Sequence, residues 1–386
     1  MTMTMTMLPL IAIALAALAL IGSGFNLAAA ILASRYRRQP CDMRADAPAV
    51  TVLKPLHGAE PALAANLASA FAQGYDAPVQ IVAGLRDADD PARSIIAATA
   101  DDYPGIACDI VVDNTRHGIN NKLSNMINMT GRARHPVIVL ADSDVAWPAD
   151  TLAQLTTALA EPGVGLVSCL HVGRGDAGFW SRLAAMDISY RFMPSVIVGT
   201  AAGLANPALG PTMALRRETL DRIGGFTAFK DMLADDYEIG RAVRALGLRT
   251  VIPPFFIVHS CPDATLAAVI AHELRWSVTI YRIDPYGFAG SFVTHCLPLA
   301  LLAALAAWFS LGSLAVVAVS LVARCVLKLR MDAASGAVSG PVWLLPLRDL
   351  LSFGIFCATF FARNVHWRGA RFRVTGDGRL HSNASS

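Results

Sequence analysis

Val137-Ile138-Val139-Leu140-Ala141-Asp142-Ser143-Asp144 is a short, fully apolar run that ends abruptly in two carboxylates. A run of this length and character reads as a buried strand with a polar turn at its end. The same grammar recurs upstream. Residues 50–53 form an apolar strand ending at Lys54-Pro55, and 79–85 a second, followed by Asp87-Ala88-Asp89-Asp90-Pro91. Residues 106–112 make the next. Between them, 60–73 has helical spacing, and 91–100 reads as a helix with Pro at its first turn. Strand, helix, strand in repeat predicts an α/β domain over 48–260, with a mostly parallel sheet covered by helices on both faces. Such sheets bind ligands at the carboxyl ends of their strands. The acidic turns after Leu85 and Leu140 fall there.

Outside that domain the chain suits lipid. Of its 386 residues, 54% are hydrophobic and 16% charged, against about 25% charged in a soluble domain. Mean hydropathy is +0.48. These values exclude a disordered chain, a charged-tail protein and an ordinary cytosolic enzyme. A net charge of +3 is too small for a nucleic-acid binder. Seven scattered cysteines without a CxxC pair indicate neither a disulfide framework nor a zinc site.

Residues 8–33 are long enough to cross a roughly 30 Å hydrocarbon core. The Met-Thr leader before them lacks the basic residues of a signal peptide. Arg35, Arg37 and Arg38 follow, which puts the N-terminus outside and the remainder in the cytoplasm. Residues 291–328 are too long for one span and predict a helical hairpin bending at Phe309-Ser310-Leu311-Gly312-Ser313. The block 342–362 contains Arg348 and Asp349, which need a protein interior or a partner charge. It reads as a full span or a re-entrant helix. The re-entrant form is preferred, because it keeps the basic tail 363–386 (Arg363, Arg368, Arg371, Arg373) on the cytoplasmic side. Residues 262–290 read as an interfacial helix region.

Four clusters can carry chemistry, each with a plainer alternative. Asp87 is a ligand contact or part of a capping turn. Asp142 and Asp144 suit a hard cation, Mg²⁺ or Mn²⁺, that keeps phosphate oxygens as its other ligands, or simply make an Asx turn. Asp235-Asp236, before a helical stretch at 237–246, supplies a general base or answers the helix dipole. In His272-Glu273-Leu274-Arg275-Trp276, the first, fourth and fifth residues share a helix face. Arg275 there suits a diphosphate; the same helix also suits the headgroup level of a bilayer. The weight lies in their order, with spacings of 55, 94 and 39 residues between Asp87, Asp142, Asp236 and Arg275.

This order of D, DxD, (E/D)D and RW resembles the inverting glycosyltransferases of the GT-A fold, and most closely the ceramide glucosyltransferase family. The stretches that carry the resemblance are VLKPLHG (52–58), RDADDPA (86–92), NNKLSN (120–125), ADSD (141–144), GGF (224–226), ADDY (234–237), LRW (274–276) and WRGARF (367–372). It covers about 8–374. HELRW, IDPYGFAGS (283–291) and VTH (293–295) are similar to a bacterial hopanoid-biosynthesis-associated branch. That branch implies transfer of N-acetylglucosamine from a UDP-sugar to bacteriohopanetetrol in the bacterial inner membrane; the wider family implies ceramide and UDP-glucose.

The resemblance further implies that Asp87 meets the uracil and ribose. Asp142 and Asp144 together are the pair that meets the ribose and the metal-bound diphosphate, and Lys54 and Lys122 bind the phosphates or uridine. Asp236 is the base with Asp235 beside it, and Arg275 and Trp276 sit near diphosphate and acceptor. His272 replaces the Gln or Arg that opens the (Q/R)xxRW motif and is an acceptor-side candidate. Trp180 and Tyr190, with Phe179, Arg191 and Phe192, line an acceptor path or form an ordinary core helix. A processive polysaccharide synthase and a non-catalytic membrane-anchored binding module are the rival readings.

Overall fold

The computed structural model describes the backbone of residues 2–37, 39, 41, 46–362, 365–367, 370–374 and 380–382, with side chains for 7–37, 39, 41 and 46–362. Ten strands lie in the middle of the chain. They are β1 (Val50–Pro55), β2 (Val79–Leu85), β3 (Ala107–Val112), β4 (Val137–Ala141), β5 (Val145–Ala146), β6 (Val164–Ser168), β7 (Leu170–Gly175), β8 (Thr212–Arg216), β9 (Arg249–Val251) and β10 (Phe256–Cys261). Seven form one sheet in the order β3-β2-β1-β4-β8-β6-β9. All neighbours in it are parallel except the two pairings of β8. The expected α/β class and mostly parallel sheet are therefore present.

Alternation along each strand divides the core. Val52, Ile81 and Val139 face a cluster closed by the helices Leu63–Phe71, Ala92–Asp102 and Thr151–Leu159. Leu53, Val82, Ile138 and Leu140 face the opposite cluster, under Asn121–Thr130 and Asp235–Ala245. Burial on both faces is why these strands read as unbroken apolar runs. Pro91 precedes its helix rather than opening it. Asp90 accepts the Ala92 and Gly58 N–H groups at 2.9 Å each, so Asp90, not Asp87, is the capping side chain.

A smaller sheet, β5-β10-β7, leans on a third cluster that joins the domain to the apolar helices. Among the described residues, three helices are long and apolar enough to cross a membrane: Met7–Tyr36, Leu311–Ser335 and Val342–Thr359. A fourth candidate is a pair, Pro285–Thr294 with Cys296–Ala306, bent by 63°. The block folds as a helix pair, Cys296–Ala306 and Leu311–Ser335, that turns at Trp308 and Phe309, while residues 311–313 of the expected 309–313 bend are helical. Both turn residues adopt left-handed backbone angles, φ 52° and 54°, and the second helix continues to Ser335. Small residues let the helices approach closely: Ala19 packs on Leu299 and Ala300, and a Cβ on Gly22 would meet the Val293 carbonyl.

Both charges in the last apolar block have partners. Arg324 chelates Asp349 at 2.6 and 2.8 Å, and also donates to Asn26 Oδ1 and the Tyr190 carbonyl. Arg348 chelates Glu273 at 2.7 and 2.8 Å and lies 3.4 Å from Asp187. Removing one member of such a buried pair costs about 3–5 kcal/mol, because the other is left uncompensated. The helix Leu345–Thr359 begins at this cluster and ends with Phe360 packed on Tyr281 and Phe288. Both ends therefore lie near the helix Leu266–Ile283. The tail contributes a small antiparallel sheet of Val365–Trp367, Ala370–Val374 and Leu380–Ser382. Arg363 and Arg368 lie outside the described residues.

Candidate functional site

Strands β1, β2, β3 and β4 end at one edge of the sheet, and β8 begins there. Ala141 pairs with Thr212, and the Asp142 N–H donates to the Pro211 carbonyl at 3.1 Å. Asp142, Ser143 and Asp144 turn away at this edge and are tied down from several sides. Lys54 Nζ donates to the Asp142 carbonyl at 2.9 Å, Asn66 to the Ser143 carbonyl at 3.2 Å, and the Ser260 N–H to the Asp144 carbonyl at 2.7 Å. Lys54 is fully buried and stacks 5.5 Å over the Trp147 ring. Burial pushes its ammonium down to about 8, against the pull of Asp144, Asp142 and Glu60.

Lys122 comes from the opposite side, on a helix that Asn120 caps by accepting the Lys122 and Leu123 N–H groups. Its ammonium reaches Asp142 Oδ1 at 2.7 Å and Asp235 Oδ2 at 3.7 Å. Burial disfavours its charge, but Asp142 and Asp235 outweigh that and hold it protonated well above the ordinary lysine range. Lys122 thus links two acidic motifs 93 residues apart, and both share one site.

Asp236 stands at the start of the helix Asp235–Ala245 and accepts the Gly210 N–H at 2.9 Å and the Tyr237 N–H at 2.8 Å. These bonds fix its carboxylate at the strand edge. Burial and the neighbouring Asp235 push it up to about 6, opposed by Lys122 and the two N–H groups. A carboxylate poised there is suited to proton transfer near neutral pH. If Asp236 is the base, kcat/KM should fall on the acid side with an apparent pKa near 6. Asp235→Asn, which removes a neighbouring negative charge, should move that limb to lower pH; an unmoved limb would separate Asp236 from the rate. Asp236 also lends less stability as pH rises from about 4 to about 6, since its native pKa exceeds the ordinary 3.8 and the unfolded chain sheds the proton first.

Asp144 differs from Asp142. Its Oδ2 lies 3.4 Å from His259 Nε2, while its Oδ1 is buried without a hydrogen-bond partner. An orphaned carboxylate oxygen beside a lysine-neutralised carboxylate fits a hard cation completed by phosphate oxygens. Among the described residues, no three His, Cys, Asp or Glu side chains converge as a protein-only metal cage. Asp87 is exposed at the end of β2, free of the capping work that Asp90 performs.

The HELRW residues lie on the helix Leu266–Ile283. The Trp276 ring meets His272 edge-on at 4.6 Å and His259 at 6.1 Å, which carries this helix to the neighbour of Asp144. His272 Nδ1 pairs with Asp263 Oδ2 at 3.0 Å. Arg275 is partly buried on the same helix. Trp180 is partly buried against the third cluster, edge-on to Phe179.

Tyr190 does not lie on an open path. It is 1% exposed, its hydroxyl donates to Asp332 at 2.6 Å and accepts from the Ser339 N–H at 3.0 Å. It ties a π-helical turn, Ile188–Phe192, to the Leu311–Ser335 helix, and its hydroxyl is engaged as both donor and acceptor. Arg191 is likewise engaged, chelating Asp187.

Three residues escaped the sequence reading. His259 and His171 sit side by side in the small sheet, 5.5 Å between ring centroids, each with a buried Nδ1 lacking a partner. No spacing marks a histidine inside an apolar strand. Glu273 lies inside the HELRW stretch, but nothing local names its partner, since Arg348 is 75 residues further on. Arg348, an arginine in an apolar block, was the available signal that an acid was needed.

The family model described as "Glycosyl transferase family 21" matches residues 9–380. Two ceramide glucosyltransferases of Caenorhabditis elegans are similar along most of the chain. Number 1 is 21% identical over 350 residues, 88% of this chain and 74% of that one. Number 3 is 22% identical over 348 residues, 86% and 74%. Among solved structures, a mannosyltransferase from Pyrobaculum calidifontis in complex with GDP-Man and Mn²⁺ superposes with a TM-score of 0.51. It is 24% identical and covers 92% of this chain and 99% of its own. At that identity the shared property is the fold, and the GT-A-like architecture is borne out.

Proposed function

The chain belongs to glycosyl transferase family 21, and from that premise we propose that it moves a sugar from a nucleoside diphosphate, UDP, to the hydroxyl of a membrane lipid with inversion. The observation that carries the reading is the convergence of Asp142, Asp235 and Asp236 around Lys122 at the strand edge, with Asp144 beside Asp142. Ceramide and glucose are favoured over bacteriohopanetetrol and N-acetylglucosamine, because the similar enzymes in the worm are ceramide glucosyltransferases.

In the proposed step the lipid oxygen attacks the anomeric carbon from the face opposite the diphosphate. Asp236 takes the hydroxyl proton as the new C–O bond forms. The old C–O bond breaks, and its electron pair leaves on the terminal phosphate of UDP. Lys122 and Arg275 supply fixed positive charge for that phosphate, and Asp87 binds the nucleoside end. A divalent cation held by Asp144 would neutralise the diphosphate. Asp142 is already balanced by Lys122, so Asp144→Asn should weaken Mn²⁺-dependent UDP binding about tenfold or more, a calorimetric measurement. Unchanged Mn²⁺ dependence would remove Asp144 from that role.

The apolar helices suit an acceptor that never leaves the bilayer. Helices 7–36, 296–306 and 311–335 form the membrane bundle. Residues 345–359, whose two ends both approach the helix Leu266–Ile283, act as a re-entrant or interfacial helix. This arrangement supports a catalytic domain and tail on the cytoplasmic face, where sugar nucleotides are found.

The test is transfer in washed membranes, with UDP-glucose or UDP-N-acetylglucosamine, Mg²⁺ or Mn²⁺, and ceramide or bacteriohopanetetrol, read by lipid mass spectrometry. Glucosylated ceramide is expected. A hexosamine-bearing hopanoid would keep the site and overturn the acceptor and donor. No glycolipid from any pair would sink the transferase reading and favour the binding-module alternative.

A further inference from the structure

Arg348 is 1% exposed, and all of its N–H-bearing nitrogens are used. Nη1 donates to Glu273 Oε1 at 2.8 Å and to the Leu183 carbonyl at 3.3 Å, and Nη2 to Glu273 Oε2 at 2.7 Å. Nε donates to Ser352 at 3.0 Å. Asp187 lies behind, 3.4 Å from Nη2, held by Ser352 and by both sides of the Arg191 fork. Two acids and two arginines make a neutral, fully bonded cluster. It unites the helices Phe179–Asp187, Leu266–Ile283 and Leu345–Thr359.

The position of Glu273 on its helix gives the cluster meaning. Arg275 and Trp276 lie two and three residues further on, within the same turn. The Trp276 ring then meets His259, which meets Asp144. A clamp at Glu273 therefore sets the rotation and height of the turn that borders the carboxylates. A fork-to-carboxylate pair fixes direction as well as distance, which a lysine point charge does not.

We propose that Glu273 is a positioning residue. Clamped bidentately by Arg348, it holds Arg275 and Trp276 at a fixed height against the apolar helix 345–359, so that the reacting end of the site meets a lipid hydroxyl where it emerges from the bilayer. The proposal rests on the sugar-to-lipid reading above. It makes the last apolar helix part of the acceptor geometry rather than only an anchor.

The test uses the full chain in nanodiscs containing ceramide, with Glu273→Gln and Arg348→Lys. Glu273→Gln keeps the shape and loses the charge; Arg348→Lys keeps the charge and loses the fork. Each should lower kcat for lipid transfer about 10–100-fold, the range for a reacting group displaced by about 1 Å. UDP affinity should fall by no more than about threefold, because Arg275 shifts while Lys122, Asp142 and Asp87 stay in place. Amide hydrogen exchange across 266–283 should accelerate in both. Transfer within about twofold of the native protein would overturn the proposal. So would a parallel loss of transfer and UDP affinity, which marks general destabilisation. If either variant fails to fold, Ser352→Ala, which removes one bond to the Arg348 side chain and one to Asp187, should give the same pattern at smaller amplitude. Hydrogen exchange separates the two ideas. Absence of transfer by the native protein defeats the functional reading, whereas unchanged exchange in Glu273→Gln defeats the clamp.

Discussion

Asp236→Asn should reduce sugar transfer by about 10²–10⁴-fold, the usual cost of losing a positioned general base. The effect should be confined to turnover. Asn retains an oxygen to accept the Gly210 or Tyr237 N–H, so the local backbone keeps its anchor. UDP binding, measured by calorimetry with Mn²⁺ present, should change little. Asp235 is a poor substitute. It is 8% exposed, and the partner found for its Oδ2 is Lys122 at 3.7 Å. Near-native turnover in Asp236→Asn would show that another group takes the proton.

Lys122→Met should damage both stability and chemistry. The methionine keeps the length of the side chain and removes the one ammonium shared by Asp142 and Asp235. With the cation gone, three carboxylates face one another in a largely buried site. Breaking a buried pair costs about 3–5 kcal/mol, a large share of the roughly 5–15 kcal/mol that holds a domain folded. Thermal unfolding should therefore shift down by several degrees at least. Lys122 also lowers the Asp236 pKa, so its removal should push that carboxyl above its present value of about 6 and move the acid limb of the rate profile upward. Lys122→Arg should preserve more of both. Stability and acid limb both unchanged in Lys122→Met would mean that the carboxylates are balanced by something else.

The sheet was legible because burial on both faces leaves a plain mark. Residues 79–85 read as a strand at the bounds the structure shows, and 137–140 within one residue. Helix starts were less legible, because neighbouring side chains of one type compete for each cap and only folded contacts choose between them. Asp90 reaches Gly58 as well as Ala92, and nothing local separates it from Asp87 or Asp89. The acidic motifs could be ordered along the chain but not joined. The joint is Lys122, and its two-sided contact exists only once β4 and the helix Asp235–Ala245 meet. Tyr190 misled for the opposite reason. An aromatic residue on a helical stretch suggests a ligand path as readily as a core, and only the Asp332 and Ser339 contacts decide. His259 left no trace, since an apolar strand with one histidine is ordinary.

The Arg348 cluster also bears on the order in which the protein comes into being. A ribosome releases the chain from its N-terminus, and domains tend to fold as they emerge. Glu273 appears 75 residues before Arg348, and Asp187 165 residues before Ser352. Until those late residues arrive, Glu273 lacks its countercharge and is better left in water, while Asp187 has only Arg191, four residues away. The catalytic sheet can form early, but the turn bearing Arg275 and Trp276 cannot settle against its final support. Synthesis is thus a timer: the proposed nucleotide site can be shaped while the chain is still growing, and the side proposed to meet lipid closes when the last helix is threaded into place.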